Sequence, residues 1–408
     1  MSHDFHKSFT LMLSILLTGL LSACQQQSWT LQPQQAPTPI VRTDMVIAAV
    51  GDIMMPASIQ RAVARNGHNY DILFEKISRD LHADLTFANL ETQVDDTSAG
   101  SGYPKFNAQS GLLTALRKAG VGVLSVANNH ALDAGPAGLV RTLDNIEKAG
   151  IIFTGAGRTK ADAEQAVSVT TNGVTAAFLA YTYGTNENMP RKKKGMPAVN
   201  ILRAGSEPDL AAAAVRVRRE RTAADLIIVS LHWGEEYATE PTVWQRRVAG
   251  ELIEAGADVI LGHHPHVLQP IESYTAQDGR QGLIAFSLGN FVSSQNFGIA
   301  NRNRADARAL RGDGIILTIF TRKERGRTSI TRAEYLPVWT VREQAGKTTV
   351  FRPVSIAREI ARIESARTRG LEEENMLALL RYRNAFIVER LSGKKGGHAA
   401  SSRQASPR

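Results

Sequence analysis

Short apolar runs alternate with amphipathic stretches along most of the chain, and this alternation predicts a layered α/β fold. Buried strands are predicted where the chain is continuously apolar for a few residues, at 45–50, 84–88, 121–126, 225–231 and 258–261. Helical spacing is found between these runs, at 57–65, 71–81, 111–119, 136–149, 208–223 and 242–255. Strands that alternate with helices predict a largely parallel sheet built from βα units.

The pattern changes beyond Gly314. Residues 314–320 and 332–340 are typical of antiparallel strands, separated by a turn at Arg325-Gly326, and we expect them to complete a second sheet. Helices are predicted at 355–367 and 371–391. The second is amphipathic, which fits packing against the domain or, alternatively, binding of a partner. The Gly/Ser/Lys-rich tail at 392–408 is predicted to be disordered.

The N-terminus has the pattern of an export signal. The apolar run at 9–21 is too short to cross a bilayer, which takes roughly 20 apolar residues. It ends in Leu21-Ser22-Ala23-Cys24, which resembles the lipobox of bacterial lipoproteins, and Cys24 is the only cysteine in the chain. We therefore predict that Cys24 is lipidated and anchors a secreted protein to the membrane. A plain secretory signal or an uncleaved anchor is the alternative.

The residue after the cysteine bears on the destination of such a lipoprotein. Gln25 stands there instead of an aspartate, which favours the outer membrane of a Gram-negative cell, with the protein facing the periplasm or the surface. The predicted organisation is a signal peptide at 1–23, a Gln/Pro-rich flexible tether at 24–44, and a main domain at 45–353. The C-terminal helices at 354–391 and the tail come after it.

Composition narrows the classes of protein. With 43% apolar and 21% charged residues among 408, the chain is an ordinary globular protein and neither disordered nor a multi-span membrane protein. A single cysteine excludes a disulfide framework and a Cys-rich zinc module. Of the charges, 23 basic and 11 acidic residues lie after position 300, so the net charge of +9 reflects the C-terminal quarter. No motif for binding nucleic acid is present, and we expect no such partner.

A residue able to bind a metal comes after each of the five predicted strands. These residues are Asp52, Glu91, Asn129 with His130, His232, and His264 with His266. One such residue alone is typical of a helix cap or a turn, but recurrence at five strand ends favours a shared site, because ligands of open α/β sheets bind at the carboxyl ends of the strands. Carboxylates, imidazoles and an amide without a thiol suit one or two Mn, Zn, Fe or Mg ions.

These residues predict a hydrolase-type chemistry. Glu91 is the natural bridge between two metal ions, and His130, if it is not a ligand, can donate a proton to a leaving group. His264-Pro265-His266 can present two imidazoles from one short loop, because proline fixes an extended geometry there. The chain has no phosphate-binding P-loop and no serine-hydrolase elbow, which argues against those two chemistries.

Two further segments have two interpretations each. The polar loop at 95–110 contains Tyr103 and Lys105 and is either a surface excursion or a substrate-lining loop. The cationic turn with Lys192, Lys193 and Lys194 is either solvated or a docking point for a polyanion, since clustered cations attract anionic partners.

The ordered motifs resemble those of a known family. They are Gly51-Asp52-Ile53-Met54, Asn89-Leu90-Glu91, Ala127-Asn128-Asn129-His130-Ala131-Leu132-Asp133, His232-Trp233-Gly234-Glu235-Glu236-Tyr237, Gly262-His263-His264-Pro265-His266-Val267 and Ser287-Leu288-Gly289-Asn290-Phe291. Together they are similar to the capsule-synthesis protein CapA family, which is linked to poly-γ-glutamate capsules and belongs to the calcineurin-like metallophosphoesterase superfamily. The resemblance covers 45–295 and implies a four-layer αββα sandwich.

The resemblance also implies roles for individual residues. The metal ligands would be Asp52, Glu91, Asn129, His232, His264 and His266, and His130, with Asn129 beside it, would contact the scissile group. Met54 departs from the superfamily pattern, which has histidine there, and methionine is a poor ligand for hard divalent metals.

Two functions remain open. The first is an envelope lipoprotein with a metal-dependent hydrolase site that acts on a polyanionic polymer, poly-γ-glutamate or another, or on its precursor or carrier. The second is a non-catalytic polymer-binding or assembly factor with a vestigial metal site. In both cases capsule-synthesis or export proteins are expected as partners.

Overall fold

The computed structural model describes residues 42–187, 195–296, 306–345 and 348–391. The predicted signal peptide, Cys24, most of the predicted tether and the C-terminal tail lie outside these residues, as do Lys192, Lys193 and Lys194. Within the described ranges, no helix combines the length and the apolar character needed to cross a membrane.

The described residues form eighteen strands and eight α-helices. The helices are α1 Ala57–Arg65, α2 Gly111–Ala119, α3 Gly135–Lys148, α4 Lys160–Glu164, α5 Glu207–Glu220, α6 Val243–Ala255, α7 Ile356–Glu364 and α8 Leu371–Leu391. The first nine strands are β1 Arg42–Ile53, β2 Leu85–Leu90, β3 Gln93–Val94, β4 Asn107–Ala108, β5 Val123–Ser125, β6 Ile152–Thr154, β7 Ala156–Gly157, β8 Val167–Thr171 and β9 Val174–Thr182. The others are β10 Ala198–Val199, β11 Leu226–His232, β12 Val259–His263, β13 Ile271–Thr275, β14 Gln281–Ala285, β15 Asn290–Val292, β16 Asp313–Glu324, β17 Arg327–Ala345 and β18 Thr348–Ser355.

Two large mixed sheets dominate the fold. The first has the order β18-β17-β16-β1-β2-β5-β6, with β15 paired to the end of β1, and the second has the order β13-β14-β12-β11-β9-β8. In the first sheet β1, β2, β5 and β6 are parallel and β16, β17 and β18 extend it with antiparallel pairing on the side of β1. In the second sheet the four central strands are parallel and β13 and β8 are antiparallel at the two edges. The largely parallel sheet expected from the alternation is thus replaced by two mixed sheets, and the five predicted strands are divided between them.

The sheets pack face to face and are covered by helices on both outer faces. Between them lies an apolar layer to which β1, β2, β9 and β11 contribute, and Phe87 stacks on Phe178 across it with ring centroids 5.7 Å apart. A second apolar cluster lies between the first sheet and α1–α3, and a third lies between the second sheet and α5 with α6. This helix–sheet–sheet–helix order confirms the predicted αββα sandwich.

The C-terminal helices belong to the same core. Leu377, Leu380 and Ile387 of α8 join the apolar layer between the sheets, as does Ile363 of α7. The predicted bounds of α8 agree with the structure, and its buried face combines the charged Arg383 with the apolar residues Leu377, Leu379, Leu380, Ile387 and Leu391.

Other predictions were displaced or wrong. Strand β1 begins at Arg42, three residues before the predicted start of the domain. The helix predicted at 71–81 is instead two short 3₁₀ segments, Tyr70–Leu73 and Ser78–Leu81. The intervening chain buries Phe74 and Ile77, so apolar contact with the core overrides helical spacing there.

Candidate metal centre

The predicted donors meet where strand ends of the two sheets face each other. Asp52 lies at the end of β1, Glu91 directly after β2, and Asn129 and His130 lie in the loop after β5. The second sheet supplies His232 at the end of β11, and the loop after β12 supplies His264 and His266. All seven side chains are buried. The sequence could assign these residues to strand ends, and the packing of two sheets brings them together.

Two glycines allow the backbone to come this close. An added Cβ on Gly51 would lie 1.9 Å from the carbonyl oxygen of Gly289, and one on Gly262 would lie 1.9 Å from that of Phe286. Because both positions lack a side chain, the segment after β14 can run against both β1 and β12. The amide of Asp52 consequently donates to the carbonyl oxygen of Gly289 at 3.0 Å.

Asp52 is fully buried and held by several donors. Its Oδ1 accepts a hydrogen bond from Asn89 Nδ2 at 2.8 Å, and its Oδ2 accepts one from the backbone N–H of His264 at 3.2 Å. The ring Nδ1 of His266 lies 3.0 Å from Oδ2, and that of His263 lies 3.2 Å from Oδ1. Burial would raise the pKa of Asp52, yet the imidazoles of His263 and His266 lower it well below its usual value. Asp52 is thus an anion with a fixed orientation.

Glu91 is buried like Asp52, but its hydrogen bonding is the opposite. Its side chain is fully buried, and neither carboxylate oxygen has a hydrogen-bond partner among the described residues. Burial raises the pKa of Glu91 well above its usual value; His266 opposes this rise, whereas Asp52 adds to it. An unsatisfied buried carboxylate is costly, by about 1–3 kcal/mol or more. A cation held at its two oxygens would remove that cost.

His264 and His266 are held in an unusual backbone conformation. Their φ angles are 92° and 56°, in the left-handed region that residues other than glycine rarely adopt. Such strain of about 1–3 kcal/mol persists only where the surroundings fix it, and it clusters at functional sites. Here the amide of His264 is bonded to Asp52, and the carbonyl oxygen of Pro265 accepts from the amide of Tyr237 at 2.8 Å.

His232 links the two halves of the centre. Its Nε2 lies 2.8 Å from Asn129 Oδ1 and 3.5 Å from Glu91 Oε1, while its Nδ1 lies 3.2 Å from Asn89 Nδ2. Burial and the charge of His264 lower the pKa of His232 well below its usual value. Burial and the charge of His266 lower the pKa of His264 to about 3. At neutral pH both rings are therefore uncharged, the form in which imidazole binds metals.

His266 differs from His232 and His264, because its pKa is raised and not lowered. Burial lowers its pKa, but Glu91 and Asp52 raise it further, to about 9. Its Nδ1 lies between Asp52 Oδ2 at 3.0 Å and Asn290 Oδ1 at 3.1 Å. In this arrangement the proton on His266 compensates for the two carboxylates, a role that a divalent cation would take over.

Two overlapping groups of donors have the spacing of metal ligands. Asp52, Glu91 and His232 present ligand atoms that all lie within 4.8 Å of one another, and so do Glu91, His264 and His266. Glu91 belongs to both groups and would therefore be the ligand that two ions share. The donor set of carboxylate oxygens and neutral imidazoles fits a divalent ion, and the orphaned oxygens of Glu91 point to the same conclusion.

His130 is held beside this centre by a carboxylate. Its Nδ1 lies 2.7 Å from Asp133 Oδ2, and its backbone N–H donates to Asn128 Oδ1 at 3.1 Å. The ring packs edge-on against Phe106, with centroids 4.5 Å apart. Because Asp133 engages Nδ1, Nε2 is the nitrogen that remains for exchange of a proton with a bound molecule.

The predicted substrate-binding residues lie farther out. Tyr103 is 83% exposed, and Lys105 forms an ion pair of 2.8 Å with Glu187. The end of the same loop does reach the centre, because the amide of Phe106 donates to Asp133 Oδ2 at 2.7 Å. The loop is therefore joined to His130 through Phe106, with Tyr103 and Lys105 on its outer part.

Several residues of the centre were absent from the predicted site. Asn89 joins Asp52 to His232, Asp133 holds His130, and Asn290 holds His266 while its Nδ2 donates to the carbonyl oxygen of Arg311 at 2.9 Å. The sequence contained a signal for Asn89, because residues two apart on a strand share a face and Glu91 is two positions later. Met54, which stands where the superfamily pattern has histidine, is a buried residue.

Comparison with known proteins identifies the family. A family model described as bacterial capsule synthesis protein PGA_cap matches residues 46–295. The chain belongs to this family. The family predicted from the ordered motifs is thereby confirmed.

Relatives from other organisms agree with this assignment. The chain is 33% identical over 263 residues to the "Capsule biosynthesis protein CapA" of Bacillus anthracis, covering 62% of this chain and 61% of that protein. It is 34% identical over 275 residues to the "PGA biosynthesis protein CapA" of Bacillus subtilis, covering 64% and 68%. Among solved structures, the calcineurin-like phosphoesterase YfkN from Bacillus subtilis is 12% identical, with a TM-score of 0.37, covering 86% of this chain and 99% of that one.

Proposed function

We propose that this member of the PGA_cap family is a metal-dependent hydrolase that cleaves an ester or amide bond in a polyanionic capsule polymer, its precursor or its carrier. The observation that carries the proposal is Glu91, a buried carboxylate whose two oxygens lack partners and which is shared by two groups of ligand atoms. A protein without a cation there would have a cost of desolvation with no compensation.

The residues of the centre are divided into proposed metal ligands and a proposed proton donor. Asp52, Glu91 and His232 would hold one ion, and Glu91 with His264 and His266 a second. Asn129 is close enough to His232 to join them. Bound there, a divalent metal supplies Lewis acidity, which polarises a substrate oxygen and activates water.

His130 is the proposed general acid. Its Nδ1 is engaged by Asp133, which fixes the ring, so that Nε2 can deliver a proton to the leaving group. A positioned acid of this kind contributes about 10²–10⁴-fold to a rate.

The capsule assignment is supported by the relatives. Two of them are named for capsule and PGA biosynthesis, and a third, 34% identical over 168 residues, is the "Probable polyglutamine synthesis accessory protein" Rv0574c of Mycobacterium tuberculosis. We propose the same general role for this chain. Its substrate is then an anionic polymer, which a centre of cations is suited to attract.

The test combines metal analysis with turnover. The purified protein is loaded with Mn, Zn or Mg, its metal content is measured, and hydrolysis of bis-p-nitrophenyl phosphate and of poly-γ-glutamate is followed. We expect one or two ions per chain and hydrolysis of at least one substrate. Protein that binds none of the three metals and hydrolyses neither substrate would contradict the proposal.

Variants separate the two kinds of residue. His130→Gln should lower turnover by about 10²-fold or more while the metal content is retained, because His130 lies outside both donor groups. His264→Ala should lower both. His82→Ala, which changes an exposed histidine outside both donor groups, is the matched control.

A non-catalytic role in polymer binding or assembly is the second candidate. It is favoured by Met54, which leaves the centre one imidazole short of the superfamily pattern. It predicts that His130→Ala preserves capsule formation in cells, whereas reversing the charge of Lys192–Lys194 abolishes it. The hydrolase predicts the opposite result for His130.

We also propose that lipid on Cys24 holds the protein at the cell envelope, in the outer membrane where the cell has one. The support is the sequence ending in Leu21-Ser22-Ala23-Cys24. Growth with a labelled fatty acid should label the wild type but not Cys24→Ser, and fractionation should move the variant out of the membrane. A wild type that stays unlabelled would contradict this proposal.

A further inference from the structure

A cavity of about 240 Å³ lies beside the candidate metal centre. Its walls come from the end of β9, the end of β11, the start of α6 and the chain around Leu202. His232 is one of its lining residues and also a donor of the metal centre, so the cavity adjoins the centre at the end of β11.

Tyr183 also lies next to both the cavity and the metal centre. It lines the cavity, and its ring stacks on His232 with centroids 6.4 Å apart and contacts the ring of His264 at 4.7 Å. Tyr183 is half-buried and contacts the rings of two donors, so it forms a rim between the cavity and the metal donors. A molecule held at the donors can therefore extend over this rim into the cavity.

The walls of the cavity are largely aromatic and aliphatic. Tyr181, Trp233, Trp244 and Leu202 contribute to them. Among the polar groups of the lining, the hydroxyl of Tyr181 has no hydrogen-bond partner within the described residues, whereas Trp233 Nε1 donates to the carbonyl oxygen of Phe286 at 3.0 Å. In the same way, the side-chain oxygen of Gln245 accepts from the amide of Thr242 at 2.9 Å. The surface left for an occupant is thus mainly apolar.

The charges around the cavity disfavour an anion inside it. The described residues that line it include the carboxylate of Glu235 and no lysine or arginine. Two guanidinium groups lie over lining rings, and both are paired with carboxylates: Arg216 over Tyr181 with Glu164, and Arg247 over Trp244 with Glu207.

We propose that this cavity is a substrate subsite that takes an uncharged apolar group, aryl or alkyl, attached to the anion held at the metal centre. The proposal rests on the proposed function and narrows it: the substrate is amphiphilic, with an anionic end at the metal donors and an apolar arm beyond Tyr183. A dry apolar cavity of about 150 Å³ is enough to bind benzene, so about 240 Å³ accommodates a ring and a few further atoms. A bare repeat of charged units would leave this apolar surface unused.

The experiment compares two probes that differ only in the apolar arm. Binding of phenylphosphonate and of methylphosphonate to the full, metal-loaded protein is measured by calorimetry. We expect phenylphosphonate to bind about tenfold more tightly, because its ring is removed from water in the cavity. Trp244→Ala should remove this preference and leave the affinity for methylphosphonate unchanged.

Two further variants test whether a lost preference comes from the cavity itself or from a change of fold. Ala204→Trp fills the cavity from an exposed loop position and should also remove the preference, whereas Val243→Ala, an exposed neighbour of Trp244, should keep it. Circular dichroism verifies that each variant is folded.

The results distinguish failure of the subsite from failure of the proposed function. Equal affinities in the wild type, or a preference that survives in both Trp244→Ala and Ala204→Trp, overturn the subsite and leave the proposed function standing. If the protein binds no metal, or binds metal but neither phosphonate, the proposed function itself fails and the subsite fails with it.

Discussion

Two buried carboxylates in this protein have opposite surroundings. Asp313 lies on β16 and is bound by Arg383 of α8, whose Nε is 2.9 Å from Oδ1 and whose Nη2 contacts Oδ2. Glu91, equally buried, has no hydrogen-bond partner for either oxygen among the described residues. One charge is neutralised by the chain itself, and the other is not.

The difference indicates which buried charge is structural and which is functional. Burial raises the pKa of Asp313 to about 6 although Arg383 lowers it, so the ion pair is complete at neutral pH. Its partner also lies over the ring of Phe386, 4.4 Å from the centroid. Glu91 has neighbours with ligand spacing instead of a fixed counter-ion, which is what a site for an exchangeable cation requires.

Removing the cation of the structural pair should have the largest effect. Arg383→Ala leaves the Asp313 carboxylate buried and unpaired, and we expect the free energy of unfolding to fall by about 3–5 kcal/mol. Urea denaturation measures it. Arg381→Ala, which removes an exposed partner of Glu364, is the control and should cost less than about 1 kcal/mol. Equal losses in the two variants would contradict the distinction.

A divalent cation should stabilise the protein by binding at Glu91, and not at Asp313. A divalent metal at about one hundred times its dissociation constant should stabilise the wild type by about 2.7 kcal/mol, because it binds the native state alone. Thermal unfolding with and without chelator measures this shift. Glu91→Gln should abolish it and Arg381→Ala should keep it. A shift of the same size in Glu91→Gln would show that the metal binds elsewhere.

In metal-free protein, neutralising Glu91 should be beneficial. Glu91→Gln removes a buried carboxyl group without a partner, and we expect the free energy of unfolding to rise by about 1 kcal/mol. Asp52→Asn is the matched comparison, because Asp52 accepts hydrogen bonds from Asn89 and His264 and should lose stability. Destabilisation by both changes would mean that Glu91 has a partner within the fold.

Replacing the whole structural pair should have the smallest effect. Asp313→Leu combined with Arg383→Met exchanges a buried ion pair for apolar side chains, and such exchanges are often neutral or stabilising. We expect stability within about 1 kcal/mol of the wild type in urea denaturation. A loss as large as that of Arg383→Ala alone would show that the pair itself, and not its mutual neutralisation, stabilises the fold.

Some features that were not predicted were nevertheless encoded locally. Strands β8 and β9 are an example, because they are joined by Asn172-Gly173, which have φ angles of 51° and 72°. An Asn-Gly pair between strand-like runs is a strong signal for a hairpin, because both residues tolerate positive φ. Asp133, three residues after His130, was likewise visible as part of a motif, but its role depended on the loop conformation.

By itself, the sequence determined which residues end each central strand and therefore which side chains could act as donors. That information is local: continuous apolar runs mark strands buried on both faces, and the residues directly after a parallel strand lie at its carboxyl end. The order of Asp52, Glu91, Asn129, His130, His232, His264 and His266 along the chain was sufficient to predict the family and a candidate metal site.

Only the tertiary structure decided how those strand ends are arranged and satisfied. The donors come from two sheets, Glu91 is left without a partner, and Asp313 meets Arg383 from 70 residues away. Whether a buried charge is paired depends on packing between distant segments, and no pattern of neighbours along the chain specifies it. The same holds for the cavity beside His232, whose walls come from four separate segments.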